Sequence, residues 1–295
     1  MGRLSISDAL AACSAILDAV PADGVAGYVA RGHRRLGACV GSGEGYVVLA
    51  VRSEVPDGDP LCGFRPHVTY QVGPSSVQHT VANRVMRDDA RLLSDPVLRR
   101  MVRDHGRHRT FHDPDPRTVP ELAGSLDPML WDQGGLFDRL KAIHPVGDGF
   151  EIHLGFDRHA GEPRFDDDDE AALAALSIAV APWARRVMFL HGYGPGLAPF
   201  TARERQTLCL LLGDRPQTSC AEELGVSEAR ARELIRDLYA KLGVSSRSEL
   251  MARWFTGLPV ADDVPVIVTH AARRPARLRR RRTSSPVAAR RPPRR

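Results

Sequence analysis

Arg232 and Arg236 stand one helical turn apart in the segment Ser227-Glu-Ala-Arg-Ala-Arg-Glu-Leu-Ile-Arg-Asp-Leu-Tyr-Ala-Lys-Leu242. A guanidinium can donate two parallel N–H groups to guanine O6 and N7, or to a phosphate. Ala231, Leu234, Ile235, Leu238 and Leu242 recur at steps of three and four and form the apolar stripe of a helix. Ala229, Arg232, Glu233, Arg236 and Ala240 then share the opposite face, where the alanines permit close approach and Glu233 can accept from a cytosine amino group. Arg230 and Lys241 add a cation toward each end. The candidate nucleic-acid contacts are therefore Arg230, Arg232, Glu233, Arg236 and Lys241. The bland alternative is a helix whose basic face is merely solvated.

Such a helix must be held by its neighbours, and their start and stop signals are legible. Thr201-Ala-Arg-Glu204, Ser219-Cys-Ala-Glu222 and Ser246-Arg-Ser-Glu249 each have the spacing of a capping box, in which hydroxyl and carboxylate satisfy unpaired N–H groups. Leu208, Leu211 and Leu212 form a stripe that Gly213 is expected to end in a left-handed stop. Only Gly225-Val226 separate the short second helix from Ser227, the N-cap of the third, and Gly243 ends that third helix. Two helices joined by a glycine-containing turn of this length form a helix-turn-helix pattern.

The stretch Phe200–Phe255 resembles the LuxR/NarL-type helix-turn-helix domain over its whole length. The residues that carry the resemblance are Thr201-x-Arg-Glu204, Leu208-x-Leu-Leu211, Ala221-x-x-Leu-Gly-Val-Ser227 and Tyr239-x-Lys-Leu-Gly-Val-x-Ser-Arg-x-Glu-Leu250. The resemblance implies a third helix in the major groove, with Arg232 and Arg236 at the family's basic contact positions, and a fourth helix that often supplies a dimer contact. It implies double-stranded DNA and a second copy of the chain as partners, with RNA polymerase and a small-molecule effector as further candidates. No cofactor and no membrane are implied. Three departures leave the operator open: Pro216–Cys220 lacks the usual basic phosphate contact, Arg230-Ala231 replaces Thr-Val, and Leu234 replaces His.

At 295 residues the length suits two modest domains. The expected division is a sensory or dimerisation domain over 1–192, a flexible joint at 193–198, the helix-turn-helix domain over 199–257, and a linker with an arginine-rich tail over 258–295. Five cysteines without a CxxC pair read as reduced thiols. No basic segment leads into an apolar run at the N-terminus, and no apolar stretch is long enough to span a bilayer, so a cytoplasmic protein is expected. Neither a P-loop, a Gly-x-Ser-x-Gly elbow nor HExxH occurs, and no enzyme is expected, although an N-terminal enzyme domain fused to a DNA reader is an alternative.

The fold class expected for the N-terminal two-thirds is α+β. Residues 6–20 read as an amphipathic helix, and Val25–Ala30, Leu36–Val40, Tyr46–Val51 and His67–Val72 as strands, with Gly41–Gly45 as a hairpin turn. Helices are expected at Val77–Arg87, Pro96–Asp104 and Leu136–Ile143, with a proline-punctuated loop at His112–Pro116. A half-buried strand follows at Phe150–Phe156. The run Asp166–Glu170 reads as the capped start of a long helix, with a metal site as the sharper alternative. His105, His108, His112 and Asp113 offer a second metal grouping, set against a solvated loop. Leu173, Leu176, Val180, Trp183, Val187 and Leu190 make a heptad seam that Pro182 should kink, packed on its own sheet or on a second copy.

This order of elements, with Phe165-x-Asp-x-Asp-Glu170 and Leu140–Gly149, resembles GAF/PAS-like sensory domains joined to LuxR-type readers. A quorum-signal domain with a pocket lined by Tyr28, Tyr46, Tyr70 and Trp131 is an alternative. A phosphoreceiver is a poor fit, because Lys141 is the sole N-terminal lysine and falls in an expected helix.

Eleven arginines and no acid occupy 273–295, so the formal charge of +5 conceals a remainder of −6. Within Phe200–Phe255 the net charge is only +1. Removing 273–295 should therefore weaken sequence-independent duplex binding and flatten its salt dependence. An unchanged slope of log K against log salt would show that the tail does not touch DNA.

Overall fold

The computed structural model describes residues 5–53, 58–73, 89–113, 119–120, 131, 135–147, 149–193, 197–213, 216 and 219–256. The expected helix at Val77–Arg87, residues 194–196 of the expected joint and the tail lie outside the described residues.

An antiparallel sheet in the order β2-β1-β5-β4-β3 is the centre of the N-terminal part. Its strands are β1 (Glu44–Arg52), β2 (Phe64–Val72), β3 (Arg109–Asp113), β4 (Leu136–Pro145) and β5 (Phe150–His159). Val47 pairs with Leu154, Leu49 with Ile152, Ala142 with Leu154 and Leu140 with Phe156, so these apolar residues share one face. Helices cover that face: α1 (Ile6–Leu17), α2 (Gly24–Cys39), α5 (Asp167–Ala179) and α6 (Ala181–Leu190). Two short helices, α3 (Asp89–Ser94) and α4 (Pro96–Val102), precede β3.

Five expectations are corrected. The two strands expected over Val25–Ala30 and Leu36–Val40 are one helix, α2, whose buried residues Tyr28, Val29, Gly32, His33, Leu36 and Gly37 have helical spacing. Gly32 is a point of close approach within it: a side chain there would collide with the Trp183 indole. Gly41–Gly45 consequently joins a helix to a strand and is not a hairpin turn. The helix expected at Leu136–Ile143 is strand β4, buried on both faces. β5 is likewise buried on both faces rather than one. His112 and Asp113 end β3 and do not begin a loop.

The acidic run is a helix start. Asp166 accepts from the Asp169 N–H at 2.9 Å, and the Asp169 carboxylate accepts from the Asp166 N–H at 3.2 Å. The heptad seam is buried within its own chain, with Leu173, Trp183, Val187 and Leu190 fully enclosed. The helix breaks at Val180, α6 begins with Pro182 in its first turn, and the two halves meet at 60°. This bent pair is apolar enough to resemble a broken membrane span, but its seam lies in the core; no single helix among the described residues is long and apolar enough to cross a membrane.

Four histidines are enclosed in a neutral state. Burial pushes His33 to about 4, His108 to about 4, His144 to about 3 and His191 to about 4. The unfolded chain takes up these protons near pH 6.5, whereas the folded rings resist them until near pH 4. Stability should therefore be level above pH 7 and fall as pH drops from about 6.5, by roughly 1–2 kcal/mol per ring at pH 5. Denaturant unfolding at pH 7.5 and pH 5 checks this, and equal stabilities at the two would contradict neutral burial.

Candidate nucleic-acid interface

The C-terminal unit consists of α7 (Ala202–Leu212), α8 (Cys220–Leu224), α9 (Glu228–Leu242) and α10 (Arg247–Thr256). The Thr201 capping box forms, its hydroxyl accepting from the Glu204 N–H at 3.2 Å and the Glu204 carboxylate accepting from the Thr201 N–H at 2.6 Å. At Ser219 the expected box does not form, because the Ser219 hydroxyl turns back to donate to the Pro216 carbonyl at 2.8 Å. Gly213 is extended, at φ −74° and ψ 172°, and is not the left-handed stop expected of it. Gly225 and Gly243 are left-handed, each at φ 63°, and end α8 and α9. At Gly225 the chain reverses within three residues, and the Ser227 hydroxyl caps α9 by accepting from the Arg230 N–H at 3.3 Å.

One side of α9 is fixed by packing. Ala231, Ile235, Leu238 and Leu242 are buried, the last three in the cluster that contains Leu208, Leu211, Leu224 and Leu250. Ala229, Arg230, Arg232, Glu233, Arg236 and Ala240 are exposed, and the side chains of Arg232 and Arg236 each keep 75% of their surface. The expected ridge of two arginines separated by one turn is thus present and free of the protein's own body. Beside it lies a shallow groove of about 420 Å³ bordered by Arg232, Arg236, Tyr239, Val244 and Ser245.

Lys241 is placed differently. Its ammonium donates to both oxygens of Glu204, at 3.0 and 3.1 Å, and to the Pro199 carbonyl at 3.1 Å. Burial raises the Glu204 carboxyl, but the bonds from the Thr201 N–H and the Lys241 ammonium outweigh it and hold this group below its ordinary value. Lys241 therefore fastens the end of α9 to the start of α7.

Among the described residues, other arginines of the unit are also engaged. Arg203 donates to the Leu224 carbonyl at 2.7 Å, Arg247 to the Leu211 carbonyl at 2.7 Å and to that of Gly213, and Arg253 to that of Leu242. Each of these carbonyls ends a helix of the unit. The sequence counts these arginines as basic field; the fold uses them as caps. A hint was their position, near the starts and ends of helices and off the exposed stripe of α9.

No family model matches the chain, and no curated protein matches it. Solved structures similar to it include "SdiA in complex with octanoyl-rac-glycerol", at 16% identity and a TM-score of 0.43 over 87% of this chain and 96% of that one. Escherichia coli SdiA in a second crystal form has 16% identity and a TM-score of 0.42, over 83% and 94% of the two chains. At this similarity neither neighbour assigns a residue or a ligand here.

The sensory-pocket aromatics are not gathered. Tyr28 packs on Trp254 at 5.6 Å between ring centroids, Tyr70 bonds His191 at 2.6 Å, and Tyr46 lies beneath the Arg139 guanidinium. Tyr46 and Tyr70 are offset by one residue in the β1–β2 register, which puts them on opposite faces. Trp131 is buried.

What the sequence missed is the second face of the sheet. Arg109 pairs with Glu151 through two bonds of 2.9 and 2.8 Å, Arg139 pairs with Asp157 through bonds of 2.6 and 3.0 Å, and Lys141 pairs with Asp113. All six side chains are buried. Burial raises Glu151, but His153 and Arg109 overcome this and hold it at about 2.

The histidine grouping does not form a metal centre. His108 meets the Ser177 hydroxyl at 2.7 Å, His112 meets Asp138 at 2.6 Å, and His105 lies against Phe64. Among the described residues no cluster of three or more His, Cys, Asp or Glu is poised to hold a metal. The Ser177–His108 contact has the spacing of a nucleophile and its base, but both residues are fully enclosed. The buried thiol of Cys209 is pushed up to about 12, which keeps it inert.

Two classes of arginine should separate by mutation. Arg247→Ala removes charged donors from the end of α7 and should destabilise the protein by about 1.5–3 kcal/mol. Arg232→Ala should leave stability within about 0.5 kcal/mol. Equal losses in urea unfolding would contradict the division between caps and ridge.

Proposed function

We propose that the chain is a sequence-specific, double-stranded-DNA-binding transcription regulator, with α9 as the helix that enters the major groove. The observation that carries this reading is the pair Arg232 and Arg236, one turn apart and 75% exposed, on a helix whose other side is locked in a core. Its width and alanine flanks suit a groove that admits one helix, and a guanidinium can read guanine from there. Arg230 and Glu233 flank the pair, while Lys241 serves by anchoring.

The N-terminal part is read as a sensory and dimerisation domain of GAF/PAS-like kind, with the chain acting as a homodimer on paired half-sites. An antiparallel sheet backed by helices, whose last helix leads toward the reader, supports this role. The reader is also seated on that part: Trp254 of α10 packs on Tyr28 and Phe189. A change in the N-terminal core would reach the reader through those rings.

The test is the double variant Arg232→Ala with Arg236→Ala. It should lose at least about a hundredfold in affinity for the duplex that the wild-type chain enriches from a random pool, since each bidentate base contact is worth about 1–3 kcal/mol. Helical content by circular dichroism should be unchanged. Undiminished discrimination between enriched and random duplex would refute the assignment of α9 to the groove.

A further inference from the structure

Every arginine of the α9 ridge has a carboxylate partner on its own helix. Glu228 accepts from Arg232 at 2.7 Å, Glu233 from Arg230 at 2.9 Å, and Asp237 lies 3.7 Å from Arg236. These six side chains are exposed, from 48% for Glu233 to 75% for Arg232, Glu228 and Arg236. Glu222 and Glu223 of α8 are also exposed, and Lys241 is committed to Glu204. The exposed residues of α8 and α9 thus include three arginines and five carboxylates.

Such a surface treats phosphate and bases differently. A guanidinium that leaves its carboxylate for a phosphate exchanges one oxyanion for another, and the released carboxylate is left facing the negatively charged duplex. A guanidinium that moves to guanine O6 and N7 gains two directed bonds to a neutral edge. Exposed ion pairs are weak, so they do not block the second exchange. The acids therefore act against sequence-independent contact more than against base reading.

Resting on the reading of α9 as a groove helix, we propose that Glu228 and Asp237 are specificity-determining residues. They hold Arg232 and Arg236 in the free protein and suppress binding to phosphate where no base contact compensates. Specificity on this helix is then set by acids that touch no base as well as by the arginines that do.

The full chain carrying Glu228→Gln and Asp237→Asn tests this by equilibrium binding to two probes. One is a random-sequence 30-base-pair duplex pool, and the other is the duplex that the wild-type chain enriches from it. A second variant, Asp167→Asn with Asp168→Asn, makes the same change in net charge at the exposed start of α5. Affinity of the ridge variant for the random pool should rise about tenfold, and for the enriched duplex about threefold or less. The salt slope on the random pool should steepen by about 1 to 2, one for each guanidinium released to phosphate.

The α5 variant should move both probes by less than about twofold. Equal rises on both probes, no rise on either, or the same rise from the α5 variant would overturn the proposal while leaving the groove assignment intact. Failure of the wild-type chain to enrich any duplex would overturn the groove assignment itself, and this proposal with it.

Discussion

Each helix of the C-terminal unit ends against an arginine that belongs to a different element. Arg247 of α10 closes α7, Arg203 of α7 closes α8, and Arg253 of α10 closes α9. Arg186 of α6 closes α10, donating to the Trp254 carbonyl at 3.0 Å and to that of Phe255 at 3.5 Å. The last carbonyls of a helix have no partner within it and carry the negative end of its dipole, so a guanidinium satisfies both bonding and field. The four helices are thereby fixed by directed bonds as well as by their leucine core. The presentation of Arg232 and Arg236 depends on that fixing.

Arg186 extends the same device across the molecule. It is 5% exposed, lies over the Trp254 ring at 5.4 Å, and also donates to the Leu17 carbonyl at the end of α1. One buried cation thus joins the ends of two helices that are more than two hundred residues apart in sequence. Trp254 is enclosed by Tyr28, Phe189 and this guanidinium, so the C-terminal unit is seated on the N-terminal part through its final helix. Removing the guanidinium would leave the buried Trp254 carbonyl without this donor, and the part-buried carbonyls of Leu17 and Phe255 with it.

The C-terminal unit was largely legible because its signals are local. Capping hydroxyls, glycine stops and a three-four apolar stripe lie within one or two turns of what they control, and the exposed face of α9 followed directly. The misreadings at Ser219 and Gly213 also have local causes, since a hydroxyl can bond the preceding carbonyl and a glycine can remain extended. The sheet domain was less legible because its decisive contacts are distant. Asp157 of β5 neutralises Arg139 of β4, and Glu151 neutralises Arg109 across forty-two residues. Without those partners the charged residues of β4 read as one side of a surface helix. The helical face of α2 is equally non-local, since Gly32 makes room for Trp183 of α6.

The buried charges of the sheet bear on what that face was built to do. Replacing a buried ion pair by well-packed apolar residues is often neutral or stabilising, so stability alone gives little reason to place three such pairs there. What the pairs do provide is register. A one-residue slip of β4 against β5 would send Arg139 and Lys141 to the opposite face and leave Asp157 and Asp113 buried without their cations. Their desolvation makes that slip far more costly than the loss of any apolar contact. The apolar face opposes the same slip, because Leu140 and Ala142 would leave the core for the other face. Charge on one face and shape on the other therefore fix the sheet on which α2 and α5 are laid, and α6, packed on those helices, carries the arginine that seats the C-terminal unit.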